Sequence, residues 1–342
     1  MAMNADITVG LDGTPESLAA ADWAAREARA RGAGLRLLHA WVLLEPEGAP
    51  GDSRTGVAEE DRNHWAKKTV TDAEHLLEEA YPGLPLSTEL VAADPESALL
   101  DAARECALLV LGSQGLGRTA SYLLGAVALR VVARSAAPAV LVRAEPAEGS
   151  APVPHAGPAD TSTPSTGPGA GGLSARPDDL SGLGDPDEPG GRDPAGRTTP
   201  AVLVGVSPYE PAAAEVLDFA FAMADRHSAP VHAVHVRQLP VPIYAQGDPA
   251  LAPALVEKAV NGSREQLRAA LAPWRDRYPR VPVRETVRPG SAARILVGES
   301  AGARLLVVGR RRHPARLRPR LGHVVQAVAH HAPCPLAVVP HD

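Results

Sequence analysis

The chain holds 342 residues, 45% of them hydrophobic and 22% charged, with a formal net charge of -6. That length suits two domains of roughly 100–200 residues each, and the balance of apolar and charged residues excludes a wholly disordered chain and a basic nucleic-acid binder. Only 3% of the residues are aromatic, too few for a stacking platform on single-stranded nucleic acid.

In chain order, residues 6–11 read as a buried strand and residues 15–31 as a helix, with Thr14 as its cap, Pro15 at its first position and Gly32 at its end. A strand at 35–42 and a longer helix at about 58–81 follow. Next come a strand at 86–92, a helix opened by Asp94 and Pro95 and running to about Cys106, and a strand at 108–111. A helix from about Gly125 to Arg134 and a strand at 139–143 complete the series. Apolar strands joined by helices predict a parallel sheet covered on both faces, a doubly wound α/β domain.

From 146 to 200 the texture changes. Eleven of the 34 prolines and eleven of the 31 glycines fall in these 55 residues, with hardly a large apolar side chain among them. Such a segment buries too little surface to offset its ordering entropy and is predicted to be a disordered linker between domains at 1–145 and 201–342. The two flanks resemble each other. Asp12 to Ser207 is 195 residues, while Gly112 to Gly309, Gly125 to Gly322 and Pro138 to Pro335 are each 197. A nearly constant offset marks a tandem duplication, so the second half is expected to repeat the five-stranded parallel sheet of the first.

Cys106 and Cys334 show neither disulfide nor metal-ligand spacing, which points to a reducing cytoplasm. The opening MAMNADITVG lacks a basic segment followed by an apolar one, and no run of about 18 apolar residues occurs. The chain is expected to be cytoplasmic, bound to neither membrane nor nucleic acid.

In open parallel sheets ligands sit beyond the carboxyl ends of the strands, where strand order reverses. Two loops there carry unusual residues: Gly10-Leu11-Asp12-Gly13-Thr14 after the first strand and Gly112-Ser113-Gln114-Gly115-Leu116-Gly117-Arg118-Thr119 after the fourth. Glycines let backbone N–H groups converge on an anion, and a helix N-terminus near Gly125 adds further donors, a geometry that suits phosphate. The second loop nearly spells G-x-x-x-x-G-K-[ST], with Arg118 in place of lysine. Against a hydrolase loop stand the late helix start and the lack of a paired strand ending in a magnesium-binding aspartate. The glycine spacing does not make the dinucleotide pattern G-x-G-x-x-G either. Bland readings stand beside the ligand-binding ones. Asp12 either contacts a ligand or holds a tight turn; Gly112 and Gly125 either cradle phosphate or serve close packing; Arg118 is either a phosphate clamp or a solvated cation. No nucleophile has a positioned base, so catalysis lacks a mechanism.

Gly112-x2-Gly115-x9-Gly125, following LLVLG and a VGLDGT strand end, resembles the nucleotide-binding pattern G-2x-G-9x-G-(S/T) of the universal stress protein family. The resemblance covers both halves, extending to DGTPESLAAADWAAREA, to DPESALLDAARECALLVLGSQG and to the closing HHAPCPLAVVP. It implies a five-stranded parallel sheet of the adenine nucleotide alpha hydrolase-like kind. It also implies binding of ATP, or of ADP or AMP, with magnesium as a companion ion, and a role in stress response or signalling without catalysis beyond slow hydrolysis. Carried onto this chain, Gly10, Leu11 and Asp12 would meet the adenine and ribose. Gly112, Ser113, Gln114, Gly115, Leu116, Gly117 and Arg118 would wrap the phosphates, and Gly125, Ala126 and Val127 would close the site at the helix start. Ala126 stands where the family has Ser or Thr, which removes a hydroxyl hydrogen bond and weakens binding by about 1 kcal/mol. The final apolar strands of the two halves are expected at sheet edges, where pairing joins the halves into a pseudo-dimer or joins two chains as a homodimer.

The second copy keeps the spacing and changes the chemistry. Gly205, Gly309 and Gly322 remain, but Arg312 falls where the second glycine belongs and Ser207 replaces the aspartate. A side chain then occupies the place where backbone would approach phosphate, which predicts a degenerate partner domain, its six arginines between 310 and 320 forming either a solvated loop or an anion site. His232 and His235 lie three apart in a strand and so face opposite sides, which rules out joint chelation, and His330 and His331 are expected to end a helix.

Overall fold

The computed structural model describes residues 6–41, 55–113, 122–144, 199–208, 213–238, 252–312 and 321–342. The proline- and glycine-rich segment 146–200 lies, but for its last two residues, outside them.

The first repeat runs β1 (Ile7–Leu11), α1 (Pro15–Arg31), β2 (Leu35–Trp41), α2 (Thr55–Ala80), β3 (Leu86–Ala92), α3 (Pro95–Ala102), β4 (Leu108–Gly112), α4 (Tyr122–Arg134) and β5 (Ala139–Val142). The second runs β6 (Val202–Gly205), α5 (Ala213–Arg226), β7 (Val231–Arg237), α6 (Ala252–Arg277), β8 (Val283–Pro289), α7 (Ala292–Glu299), β9 (Leu305–Arg311), α8 (His323–His331) and β10 (Leu336–His341). Local chemistry sets these bounds. Thr14 caps α1 by accepting from the Ser17 N–H, Pro15 starts it, and Gly32 ends it in the left-handed region at φ 62°. Asp94 caps α3 in the same way and Pro95 follows.

One expectation needs correction. Helix α4 begins at Tyr122, so Gly125 and Ala126 lie within its opening turns and not at its N-terminus. The run Tyr122-Leu123-Leu124 continues the apolar pattern of the helix, and a glycine inside a helix costs only about 1 kcal/mol relative to alanine; it need not mark a boundary.

All strands join one sheet in the order β3-β2-β1-β4-β5-β10-β9-β6-β7-β8. Neighbours within each repeat are parallel, and the two repeats meet where β5 and β10 pair antiparallel, Leu336 opposite Leu141 and Val338 opposite Ala139. Alternation along the strands divides the core. Val9, Val110 and Val140 pack with α1, α2, α5 and α6 on one face, whereas Leu109, Leu111 and Leu141 pack with α3, α4, α7 and α8 on the other. Each apolar layer continues across the seam between repeats.

Polar contacts cross the seam as well. Arg143 donates to the Ala329 carbonyl at 2.8 Å, and Arg310, itself buried, donates to the Ser135 carbonyl at 2.6 Å. On the other face Glu27 of α1 is buried; it accepts from Arg31 at 2.6 Å and lies 3.1 Å from Arg226 and 2.7 Å from the His227 ring, the last two belonging to the second repeat. The small side chains of Ala20, Ala21, Ala24, Ala25 and Ala28, all fully buried, seat α1 close on the sheet.

Candidate functional site

Strand order reverses between β1 and β4 in the first repeat and between β6 and β9 in the second, so each repeat offers a crevice at the carboxyl ends of its strands. In the first, Gly10 and Leu11 end β1 with Asp12 beyond them, and Gly112 ends β4 with Ser113 beyond it. A Cβ on Gly10 would fall 2.9 Å from methyl groups of Leu99 and Leu111. At Gly112 the intruded atoms are backbone: a Cβ would lie 2.7 Å from both the Glu16 carbonyl carbon and the Ser17 nitrogen. Gly112 therefore lets the end of β4 touch the first turn of α1. Ser113 is buried, and its N–H extends the β4–β5 ladder by donating to the Val142 carbonyl at 2.8 Å.

Asp12 holds a turn. Its Oδ1 accepts from the Thr14 N–H at 2.9 Å and from the Thr14 hydroxyl at 2.5 Å, and the same hydroxyl oxygen accepts from the Ser17 N–H at 3.2 Å. The carboxylate thereby orients the α1 cap from an exposed position that still fronts the crevice. Asp12→Ala is expected to lower stability by about 1 kcal/mol, measured by urea unfolding. Gln114, Gly115, Leu116, Gly117 and Arg118 lie outside the described residues. Val127 packs, half-buried, against the core layer beneath α3 and α4.

Two residues not singled out in the sequence, His39 and Trp65, stand at the crevices together with His235. His39 in β2 donates through Nδ1 to the Leu11 carbonyl at 2.8 Å, and His235 in β7 makes the same bond to the Val206 carbonyl at 2.9 Å. A carbonyl only accepts, so in each ring Nδ1 carries the proton. Their separation of 196 residues falls within the repeat offset, a signal present in the sequence. Trp65 of α2 is 70% exposed, one turn before Thr69, whose hydroxyl lies 3.5 Å from where a Cβ on Gly13 would stand. Side chains four apart share a helix face, so Trp65 stands beside the mouth of the first crevice.

The second crevice contains a cavity of about 250 Å³ bounded by the ends of β6, β7 and β9 and by α5, α7 and α8. Gly205 and Gly309 lie in its wall and His235 and His341 reach it. Arg312, expected to fill the phosphate position, turns aside: its Nη1 lies 3.3 Å from Asp342 Oδ1 and 3.9 Å from Glu215 Oε1. His232 faces the opposite side of β7 and hydrogen-bonds the Thr286 hydroxyl at 2.9 Å; burial, helped by the nearby Arg284, pushes its pKa down to about 4.

Comparison with known proteins agrees with this architecture. The family model described as Universal stress protein family matches residues 3–143 and again 199–340. A universal stress protein of Mycobacterium tuberculosis is 30% identical over 341 residues, covering 97% of this chain and 96% of the relative; one from Mycolicibacterium smegmatis is 28% identical over 339 residues, covering 97% and 96%. Among solved structures, a universal stress protein from Archaeoglobus fulgidus matches 99% of both chains with a TM-score of 0.58 at 16% identity. A putative universal stress protein from Pseudomonas aeruginosa matches 99% of this chain and 94% of its own with a TM-score of 0.55 at 14% identity. With the family matched once per repeat and curated relatives aligned end to end, this chain belongs to the universal stress protein family.

Proposed function

We propose that the first repeat binds an adenine nucleotide, ATP foremost, and that the chain acts in a nucleotide-dependent stress response without turning the nucleotide over rapidly. The observation that carries this reading is the convergence of Gly10–Asp12 and Gly112–Ser113 at a strand-order reversal. The sequence that follows Gly112 supplies further glycines at Gly115, Gly117 and Gly125, at spacings suited to wrapping phosphates with backbone N–H groups. The cytoplasm, where ATP is abundant, is the compartment this reading implies.

Calorimetric titration of ATP into the full chain tests it. Heat of binding is expected from the natural sequence and a loss of at least about tenfold in affinity from Gly115→Arg, since an arginine side chain would occupy the space that backbone needs to approach phosphate. Absence of heat overturns the reading, and retained affinity in the variant moves the site elsewhere. Release of ADP with magnesium at more than about 1 per second would make the chain an ATP-hydrolysing enzyme.

A further inference from the structure

A second cavity, of about 300 Å³, opens at the seam between the repeats. Pro138, Val339 and Pro340 at the β5–β10 junction and Phe219, Ala222 and Met223 of α5 give it an apolar lining, and Arg31 of α1 and Arg226 of α5 both reach it. The two arginines are 195 residues apart, the spacing that also relates Asp12 to Ser207, and each stands in the last turn of its helix. In α1 the residue four places before the arginine is Glu27, and the two side chains meet at 2.6 Å as neighbours on one helix face. In α5 the residue four places before the arginine is Ala222.

Arg226 therefore lacks the acid that Arg31 has. Among the described residues its one ion-pair partner is Glu27, 3.1 Å away across the seam and already held by Arg31 and His227. Burial, reinforced by the charge of Arg31, pulls the Arg226 guanidinium below its ordinary range, as expected of a half-buried cation with too little counter-charge. Glu27 and Met223 both take Nη1 of Arg226, and a guanidinium has donors on two further nitrogens. The other charges at the cavity are matched at its rim. Asp218 meets Arg277 at 2.7 Å, and Arg312 lies 3.3 Å from Asp342 and 3.9 Å from Glu215. These side chains are all at least 45% exposed, so water screens them. The place where a carboxylate is wanting is the one beside Ala222, and Ala222 lines the cavity. The space equals the volume of about ten waters, room for a ring joined to a carboxylate.

We propose that the seam between the repeats holds a binding site for a small organic monocarboxylate. Its carboxylate takes the place at Ala222 that Glu27 holds in the first repeat, and its apolar body lies against Pro138, Phe219 and Pro340. The site does not depend on nucleotide binding in the first repeat. Benzoate titrated into the full chain tests it, with benzamide as an uncharged ring of the same shape. Calorimetry is expected to show saturable benzoate binding, with benzamide weaker by at least about tenfold for want of charge-assisted hydrogen bonds. The ring resonances of His227, which lies 2.7 Å from Glu27, are expected to move as benzoate binds. Ala222→Glu supplies the missing carboxylate from the chain itself and is expected to weaken benzoate by at least about tenfold. It is also expected to unfold at a higher urea concentration than Ala222→Gln, which has the same shape without the charge. Both are good helix formers at a half-buried position, so the fold is retained. No binding at millimolar benzoate, benzamide binding as tightly, full benzoate affinity in Ala222→Glu, or equal urea midpoints for the two variants would each overturn the proposal.

Discussion

Replacing Glu27 with alanine is expected to lower the unfolding free energy by about 3–5 kcal/mol, the cost of removing one partner from a buried ionic cluster. Glu27 has a side-chain exposure of 2% and its partners Arg31, Arg226 and His227 of 14%, 26% and 19%, so water screens the cluster poorly. Burial by itself raises the Glu27 pKa, but the His227 hydrogen bond and the charges of Arg31 and Arg226 outweigh it and hold the carboxyl below the usual carboxylate range. A carboxyl depressed in the folded state contributes stability above its unfolded pKa, and that contribution is lost as pH falls through the lower folded value. The natural chain should therefore lose stability with a steeper slope below about pH 4.3 than Glu27→Ala does. Urea unfolding at pH 7 and through the acid range measures both effects. A loss under about 1 kcal/mol at pH 7 would mean that the cluster does not hold the repeats together.

The second large effect is expected from Gly112→Ala, at or above the upper end of the roughly 1–3 kcal/mol typical of overpacking, because the added methyl meets the backbone of Glu16 and Ser17, which has no rotamer to change. Gly309→Ala is the internal control. Its methyl would meet the ring of His341 and a Val216 methyl at 3.0 Å; these are side chains and not backbone, and a cost of about 1 kcal/mol is expected. Denaturation midpoints of the two variants compare them directly. Equal costs would show that the close approach of β4 to α1 does not decide the requirement for glycine. Nucleotide affinity in Gly112→Ala should fall too, since displacing β4 from α1 reshapes the proposed site.

Where local chemistry decides an element, the sequence is a sufficient guide. Thr14, Pro15 and Gly32 mark α1 to the residue, and the duplication, read from constant spacings, anticipates a sheet whose halves mirror each other in strand order. Local reasoning set the α4 boundary near Gly125, a plausible end by propensity, whereas the helix begins at Tyr122 because a glycine inside a helix is tolerated at a small cost. Glu27 is a case of a different kind. The periodicity of buried alanines shows its helix face, yet partners 199 and 200 residues away cannot be read from a single chain segment. The distance of His235 from His39, which matches the repeat offset, carries the information that the two rings do the same task. The cavity of the second repeat depends on how far α7 and α8 stand from the ends of β6 and β9, a separation that no sequence pattern encodes.

The antiparallel junction of β5 with β10 bears on how such a chain can evolve. Two identical subunits meeting on this edge would have to use a self-complementary patch, each residue answering to its own twin. Here the correspondence holds for the backbone and not for the side chains: Arg143 has Pro340 at the equivalent place, and Arg310 has Ser113. Each arginine reaches the opposite half through a contact with no symmetric copy. Covalent tandem linkage frees the halves from identity, so one ligand crevice is able to diverge while the edge that unites them is retained. The same asymmetry discriminates against self-pairing: a β5 edge meeting another β5 would lack the contact that Arg310 makes, and a β10 edge meeting another β10 would lack that of Arg143.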